Sequence, residues 1–467
     1  MNRRELLQGA LALSSLALGS LAKGVAKRPP NFIVVLCDDL GYGDLSALGS
    51  KRVRTPHLDR MIREGTLLTD FYAAANLCTP SRAGLLTGRY PIRTGLAYEV
   101  ILSNDQRGLP QEEVTIPEVL RPEYATALIG KWHLGHVAPY WPPTSQGFDL
   151  FFGLPYSHDI MPLSLYESGG PGVELTKEDV DFRQLQQRFY ARAERFIEDH
   201  RDRPFFLDLA LSAPHLPSYP HPAHEGHSNA GAYGDVVEEV DALMGRLFAK
   251  LEALGIERDT MVMFTSDNGP WFEGSPGELR GRKGYGASDG GYRVPMIVRQ
   301  PGVVPAGKRV SSIGMAIDLL PTMCALAGKP LPANVTIDGR DISNVILRGA
   351  PTPHDQLVLF DNENVVGIRT QRWKYITNEY QRGILFPYQG RGYPQLYDMQ
   401  TVEPEQYSLA ARHPEVLADM HQRWQRATAE FAALRAKEIP EPWRSMRQKQ
   451  FERLNQPAGG SDPSKAP

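Results

Sequence analysis

Hydrophobic and polar positions divide the chain into two alternating kinds of segment. Short, mostly apolar runs stop at acids, cations or histidine. NFIVVLC precedes Asp38 and Asp39, YATALIG precedes Lys131 and His133, PFFLDLALSA precedes His215, and TMVMFTS precedes Asp267 and Asn268. YRVPMIV is a fifth such run. Apolar runs without alternation fit strands covered on both faces, as in a parallel sheet. Between them lie stretches with helical spacing. Residues 233–254 place Val237, Val240, Leu243, Met244, Leu247 and Leu251 on one stripe, and residues 55–73 do the same with Leu58, Met61, Ile62 and Leu67. Strands alternating with helices predict an α/β sandwich around a large, mostly parallel central sheet. Ligands of such sheets bind beyond the carboxyl ends of the strands, which is where these polar residues gather.

The pattern changes after about residue 340. VVGIRTQRWKYIT and PQLYDM predict short antiparallel strands, and HPEVLADMHQRWQRATAEFAAL a helix. The expected organisation is a catalytic domain over 28–340, a smaller C-terminal α+β domain over 341–440, and an extended or disordered tail over 441–467 that ends in the apolar-poor QPAGGSDPSKAP.

Composition changes this picture little. Of 467 residues, 42% are hydrophobic and 22% charged, and 51 basic against 54 acidic residues leave a net charge of −3. That balance gives no basis for nucleic-acid binding, and no polybasic run points to a membrane surface. Nothing in the sequence sets an oligomeric state. The N-terminus is more informative. Arg3 and Arg4 precede the apolar ALALSSLALGSLA and a run of small residues, so residues 1–27 read as a signal peptide of the twin-arginine type. The expected location is periplasmic or secreted. Gly9, Ser14, Ser15, Gly19 and Ser20 dilute the apolar stretch, which argues against a stable membrane span.

Export gives weight to the cysteines. There are three, so at most one disulfide can form. Cys37 and Cys324 lie in apolar runs and read as core residues. Cys78 heads the polar, turn-rich CTPSRAGLLTGRY. Pro80 and Arg82 place it at the start of a helix, where the helix dipole would lower a thiol pKa.

The polar residues at the strand ends suggest a chemistry. Asp38 and Asp39 can share one site only if the strand has already ended, which the following GYG allows. With Asp267 and Asn268 they make an all-oxygen set suited to calcium or magnesium. Lys131, His133, His215, Arg82 and Lys283, the last in the glycine-rich LRGRKGYG, would add cations and proton carriers. His215, His221, His224 and His227 crowd one proline-rich stretch, but their spacing matches no zinc pattern and reads as a loop lining a pocket. Acids for a hard cation, with several cations around one point, describe a metal-assisted hydrolase of phosphate or sulfate esters.

These motifs resemble the type I sulfatases of the alkaline phosphatase-like superfamily, over residues 30 to 420. CTPSRAGLLTGRY is similar to the family's C-x-P-S-R signature, and NFIVVLCDDLGYGD, GKWHLG and FTSDNGP to further blocks in the expected order. QGFDLFFGLPYSHD looks most like the arylsulfatase A and N-acetylgalactosamine-6-sulfatase branch. The resemblance implies an alkaline phosphatase-like α/β/α sandwich. It implies oxidation of Cys78 to Cα-formylglycine by a maturation enzyme, and one calcium ion held by Asp38, Asp39, Asp267, Asn268 and the modified Cys78. By the same resemblance Arg82 steadies the modified side chain, and Lys131 and Lys283 hold the sulfate. His133 acts as base on the aldehyde hydrate, His215 stands by the leaving oxygen, and Ser157 lies at the substrate end. The implied substrate is an aryl sulfate or a sulfated saccharide.

One departure concerns Lys283. The segment to Asp289 and the following GG is one residue longer than the usual pattern, with aspartate where glutamate is common. Two other readings stand beside the sulfatase: a phosphonate monoester or phosphodiester hydrolase of the same superfamily, and a glycan-binding protein that never matures Cys78. Tyr98, Trp141, Tyr156, Trp271 and Phe272 lie near the motifs and are candidates to stack on a ring.

Overall fold

The computed structural model describes residues 28–170, 174–377, 394–401 and 404–455. The signal segment 1–27 and the terminal QPAGGSDPSKAP lie outside the described residues.

Ten strands form the main sheet, in the order Lys308–Val310, Thr66–Leu68, Met296–Arg299, Thr260–Ser266, Asn31–Cys37, Phe205–Ala210, Ala125–Lys131, Leu150–Leu154, Leu165–Ser168 and Thr176–Glu178. The five central strands, from Thr260–Ser266 to Leu150–Leu154, run parallel. Antiparallel pairs flank them on both sides: Met296–Arg299 on one, Leu165–Ser168 on the other. Every residue of Asn31–Cys37 is buried, because each face of the strand meets its own layer. Ile33, Val35 and Cys37 join Met61, Phe189 and Leu247 from the helices Pro56–Glu64, Leu185–Asp199 and Gly231–Ala253. Phe32, Val34 and Leu36 join Leu85 and Leu320 from the helices Cys78–Thr87 and Leu319–Ala327 on the opposite face. This is the expected α/β sandwich.

Leu67 departs from its expected helical place. The helix ends at Glu64, Gly65 is extended, and Leu67 sits in the strand Thr66–Leu68. The chain passes so close to the neighbouring strand there that a Cβ on Gly65 would lie 2.2 Å from the Val298 carbonyl oxygen. Helical spacing extends over Leu67 by coincidence, and the glycine decides the outcome.

The C-terminal region holds a four-stranded antiparallel sheet, Leu357–Asp361, Asn364–Arg369, Trp373–Ile376 and Gln395–Asp398, with the helix Pro414–Phe431 against it. Trp424 Nε1 donates to the Val365 carbonyl at 2.8 Å. Tyr90, Phe360 and Phe431 meet ring to ring at centroid distances of 5.2–5.7 Å, so one apolar cluster runs from Phe32 to Phe431. The expected extended tail is corrected over Trp443–Asn455, which is helical. WRSMRQKQFERLN contains neither glycine nor proline and many strong helix formers. It is anchored by Trp443 Nε1 donating to Val100 O at 2.9 Å and by Arg447 over the Tyr98 ring. No helix among the described residues is long and apolar enough to cross a membrane.

Candidate active site

Four adjacent parallel strands deliver the site. Thr260–Ser266 leads to Asp267 and Asn268, Asn31–Cys37 to Asp38 and Asp39, Phe205–Ala210 to His215, and Ala125–Lys131 to Lys131 and His133. Asp39 and His133 both have positive φ, 65° and 61°, a conformation that non-glycine residues rarely adopt. The turn at Asp39 lets two neighbouring carboxylates face one point, where a continuing strand would separate them. It is held by Asp39 N donating to Asp267 Oδ1 at 3.2 Å and Asp267 N donating to Cys37 O at 3.0 Å. Cys78 is the first residue of the helix Cys78–Thr87, all ten residues of which are buried.

Each carboxylate is matched to a cation. Lys131 Nζ lies 2.7 Å from Asp38 Oδ2, and Lys283 Nζ 2.7 Å from Asp39 Oδ2. Arg82 holds Asp267 Oδ2 through Nε at 2.9 Å and through its terminal nitrogen at 2.8 Å, and donates to the Lys131 carbonyl at 3.0 Å. His215 Nε2 stands 3.4 Å from Asp39 Oδ2 and 3.3 Å from Lys283 Nζ. Asn268 Nδ2 donates to Asp39 Oδ1 at 2.7 Å. Cys78 Sγ reaches Asp38 Oδ1 at 3.5 Å and Asp39 Oδ1 at 3.9 Å. The loop carrying Lys283 thus brings its ammonium to the site despite its extra residue.

Burial and these charges set the protonation states. Burial alone would raise the Asp38 carboxyl, but Lys131, His215, Arg82 and Lys283 override it and hold it well below the usual range. Burial pushes His133 well down, with Lys131 adding to the effect, so its imidazole is neutral. His133 Nε2 lies 2.9 Å from the Ile101 carbonyl, an acceptor, so Nε2 carries the proton and the partnerless Nδ1 keeps its lone pair. The expected lowering of the Cys78 thiol is reversed. Burial pushes it up, against the pull of Lys131 and Lys283, because desolvation of a thiolate outweighs both cations and the helix end.

Ser157, expected at the substrate end, is buried with no partner for its hydroxyl. The candidate aromatics separate. Trp271 stands 5.6 Å from the His215 ring, Lys283 Nζ lies 5.0 Å over Trp271, and Phe272 is exposed. Trp141 packs on Phe151 and Tyr166, Tyr156 bonds to the Pro162 carbonyl, and Tyr98 lies under Arg447. Of the clustered histidines only His215 reaches the site. His221, His224 and His227 contact one another edge to edge. His158, which follows Ser157 in the PYSHD block and has no role assigned from sequence, meets the His215 ring at 5.5 Å and is pushed down to about 4 by burial. Asp208, the acid inside the PFFLDLALSA run, also has no role assigned from sequence; it is fully buried, and burial raises it to about 7 against the pull of Arg82. Neither ends an apolar run, where most of the site residues gather.

The donor set fits a hard cation. Asp38, Asp39, Cys78 and His215 offer ligand atoms all within 4.8 Å of one another. Asn268 turns a buried Oδ1 that accepts no hydrogen bond. An orphaned amide oxygen beside two carboxylates is the kind of donor that calcium or magnesium takes.

So many buried cations at one point suit a substrate whose acid portion spreads negative charge over several oxygens. The class is therefore a hydrolase of phosphate or sulfate esters, and comparison with known proteins decides between the two. Residues 30–329 match the sulfatase family. Human arylsulfatase A is 38% identical over 391 residues, 76% of each chain. Rat N-acetylgalactosamine-6-sulfatase is 38% identical over 362 residues, 71% of this chain and 68% of its own. A sulfatase structure from a Pseudoalteromonas species superposes with a TM-score of 0.80 at 27% identity, covering 93% of this chain and 95% of that one. The chain belongs to the sulfatase family and is a sulfuric ester hydrolase.

Proposed function

We propose that the protein cleaves a sulfate monoester, of a phenol or a saccharide, by a formylglycine-dependent mechanism at Cys78 with calcium bound beside it. The observation that carries this reading is the place of Cys78 Sγ, 3.5 Å from Asp38 and 3.9 Å from Asp39, whose other oxygens hold Lys131 and Lys283. Oxidation of Cys78 to Cα-formylglycine would supply a hydrated aldehyde, with one hydroxyl to attack sulfur and a second whose deprotonation would re-form the aldehyde and so release the sulfate from the first. Calcium would be held by Asp38, Asp39, Asp267, Asn268 and the modified residue, and would acidify and orient the attacking hydroxyl.

The chain's own side chains do the rest. Lys131 and Lys283 bind the sulfate oxygens as charge moves onto them. Arg82 fixes Asp267 and the end of the strand that carries Lys131, which keeps these groups in register. His215 Nδ1 is committed to the Leu216 carbonyl at 2.5 Å, so a proton for the leaving oxygen travels on Nε2. His133 receives a proton at Nδ1, the nitrogen that Ile101 leaves free. Ser157 lines the substrate end. The catalytic portion is residues 28–340, with 341–440 as a smaller α+β domain, and the twin-arginine signal sends the folded protein to the periplasm or beyond.

A phosphonate monoester hydrolase remains the second reading. That of Agrobacterium radiobacter superposes with a TM-score of 0.60 at 19% identity, a likeness of fold alone. Two measurements test the proposal. The tryptic peptide ending at Arg82 should be lighter by the difference between CH2SH and CHO, and nitrophenyl sulfate should be cleaved faster than nitrophenyl phosphate esters. An active enzyme with an intact Cys78 thiol would refute it.

A further inference from the structure

Among the groups assigned to sulfate binding, Lys131 ends a strand, whereas Lys283 sits on a loop. No helix or strand lies between Ser266 and Asp289, yet Lys283 Nζ is held 2.7 Å from Asp39. The loop is closed at its neck by Gly290 N donating to Arg280 O at 2.7 Å. Both sides of that neck are gripped from the C-terminal region. On one side Arg280 donates to Tyr397 Oη at 2.5 Å and Gln395 Oε1 at 3.1 Å. On the other, Asp289 Oδ1 takes Lys374 Nζ at 2.6 Å, Glu405 Oε1 pairs with the same ammonium at 2.5 Å, and Asp289 N donates to Glu405 Oε2 at 2.9 Å. Asp289, Lys374 and Glu405 are fully buried. Tyr72 Oη, itself tied to Arg369, adds a bond to Asp289 at 2.9 Å. A buried lysine between two carboxylates is expensive to assemble, and its geometry has to be good to be kept at all.

We infer that the C-terminal sheet is a positioning device for Lys283: Lys374 and Glu405 fix Asp289, Gln395 and Tyr397 fix Arg280, and together they set where the tip of the loop holds its ammonium. The inference rests on the sulfate-binding role proposed for Lys283. It gives a catalytic purpose to a region whose described residues contribute no side chain to the site, and it explains how a loop one residue longer than the usual pattern still delivers its lysine.

The test is a coupling measurement on the full-length, matured protein. Arg280→Ala and Lys374→Met are made alone and on a Lys283→Ala background, and kcat and KM are measured with nitrophenyl sulfate beside urea stability. Arg280→Ala should lower kcat/KM on the order of tenfold or more in the parent, as displaced catalytic groups do. On the Lys283→Ala background it should cost less than about twofold, because the group it positions is gone. Stability should fall equally in both backgrounds. Inorganic sulfate affinity gives the same cycle where Lys283→Ala turns over too slowly. Equal catalytic losses in both backgrounds, or none in the parent, overturn the inference. Arg280 is only half-buried, so its variant keeps the test open if Lys374→Met does not fold. If the parent cleaves only phosphonate or phosphodiester, the sulfatase reading fails while the coupling is still measured with that ester.

Discussion

Replacing Lys131 with methionine removes an ammonium 2.7 Å from Asp38 Oδ2, with both side chains wholly buried. At 2.7 Å and an effective dielectric of about 20, the attraction lost is about 6 kcal/mol. Part of that offsets the cost of stripping water from two ions, but the variant recovers the cost for only one of them. Asp38 is left with Arg82 at 3.7 Å as its direct cationic contact. The expected loss of stability is about 3–5 kcal/mol. Asp38→Asn alone strands the lysine in the same way. The double variant leaves no stranded charge, so it should be more stable than the sum of single losses implies, by about 1–3 kcal/mol. Urea unfolding in calcium-free buffer, extrapolated to zero urea, measures all three. Additivity within about 0.5 kcal/mol would refute the reasoning. Acid supplies a sign. The Asp38 carboxyl is held down despite burial, so its contribution is present above the unfolded value of about 3.9 and is lost as pH falls through the lower folded value. Lys131→Met should weaken that acid dependence.

Three further outcomes are expected. Calcium at a hundredfold excess over its Kd should stabilise the native protein by about 2.7 kcal/mol, seen as a rise in Tm that Asn268→Ala reduces; no calcium response would argue against the cradle. Asp208, raised to about 7 by burial, stays protonated in the fold where the unfolded chain has ionised. Wild type should therefore lose up to about 4 kcal/mol as pH rises from about 4 to about 7, and Asp208→Asn should not; parallel pH profiles would sink this. Phe431→Ala empties a ring site against Tyr90 and Phe360 and should cost about 3–5 kcal/mol in urea, whereas a loss under about 1 kcal/mol would mean that the C-terminal helix is not part of the core.

The central sheet was legible because its strands are covered on both faces and their runs are almost wholly apolar. Asp38, Asp39, Lys131, His133, His215, Asp267 and Asn268 were legible because four of these runs end in them, and Cys78 and Arg82 because they stand in CTPSR. What stayed hidden depends on contacts between distant segments. Gly65 is a local stop signal, but nothing local shows its approach to Val298, or marks Asp39 and His133 as left-handed. The helix at Trp443 was hidden because its anchor, the Val100 carbonyl, is over three hundred residues away. The thiol at Cys78 was misjudged because the helix end is visible in sequence and the depth of burial is not. The sequence grouped Asp267 with the other acids but could not show that Arg82 holds it, or that His215 Nε2 stands 3.4 Å from Asp39 Oδ2.

All ten residues of the helix Cys78–Thr87 are buried, and Cys78 itself is 1% exposed. An enzyme that oxidises this residue must grip the backbone around it, and in the native state that backbone is covered. On the mechanism proposed above, maturation and folding would therefore compete kinetically for the same few residues of nascent chain. A molecule that folds first is trapped with its thiol, and it returns to the pool only as fast as it unfolds. The specific activity of a preparation then records the history of its synthesis rather than an equilibrium. Slower folding or more maturase should raise the active fraction, while oxidant added to the folded protein should not.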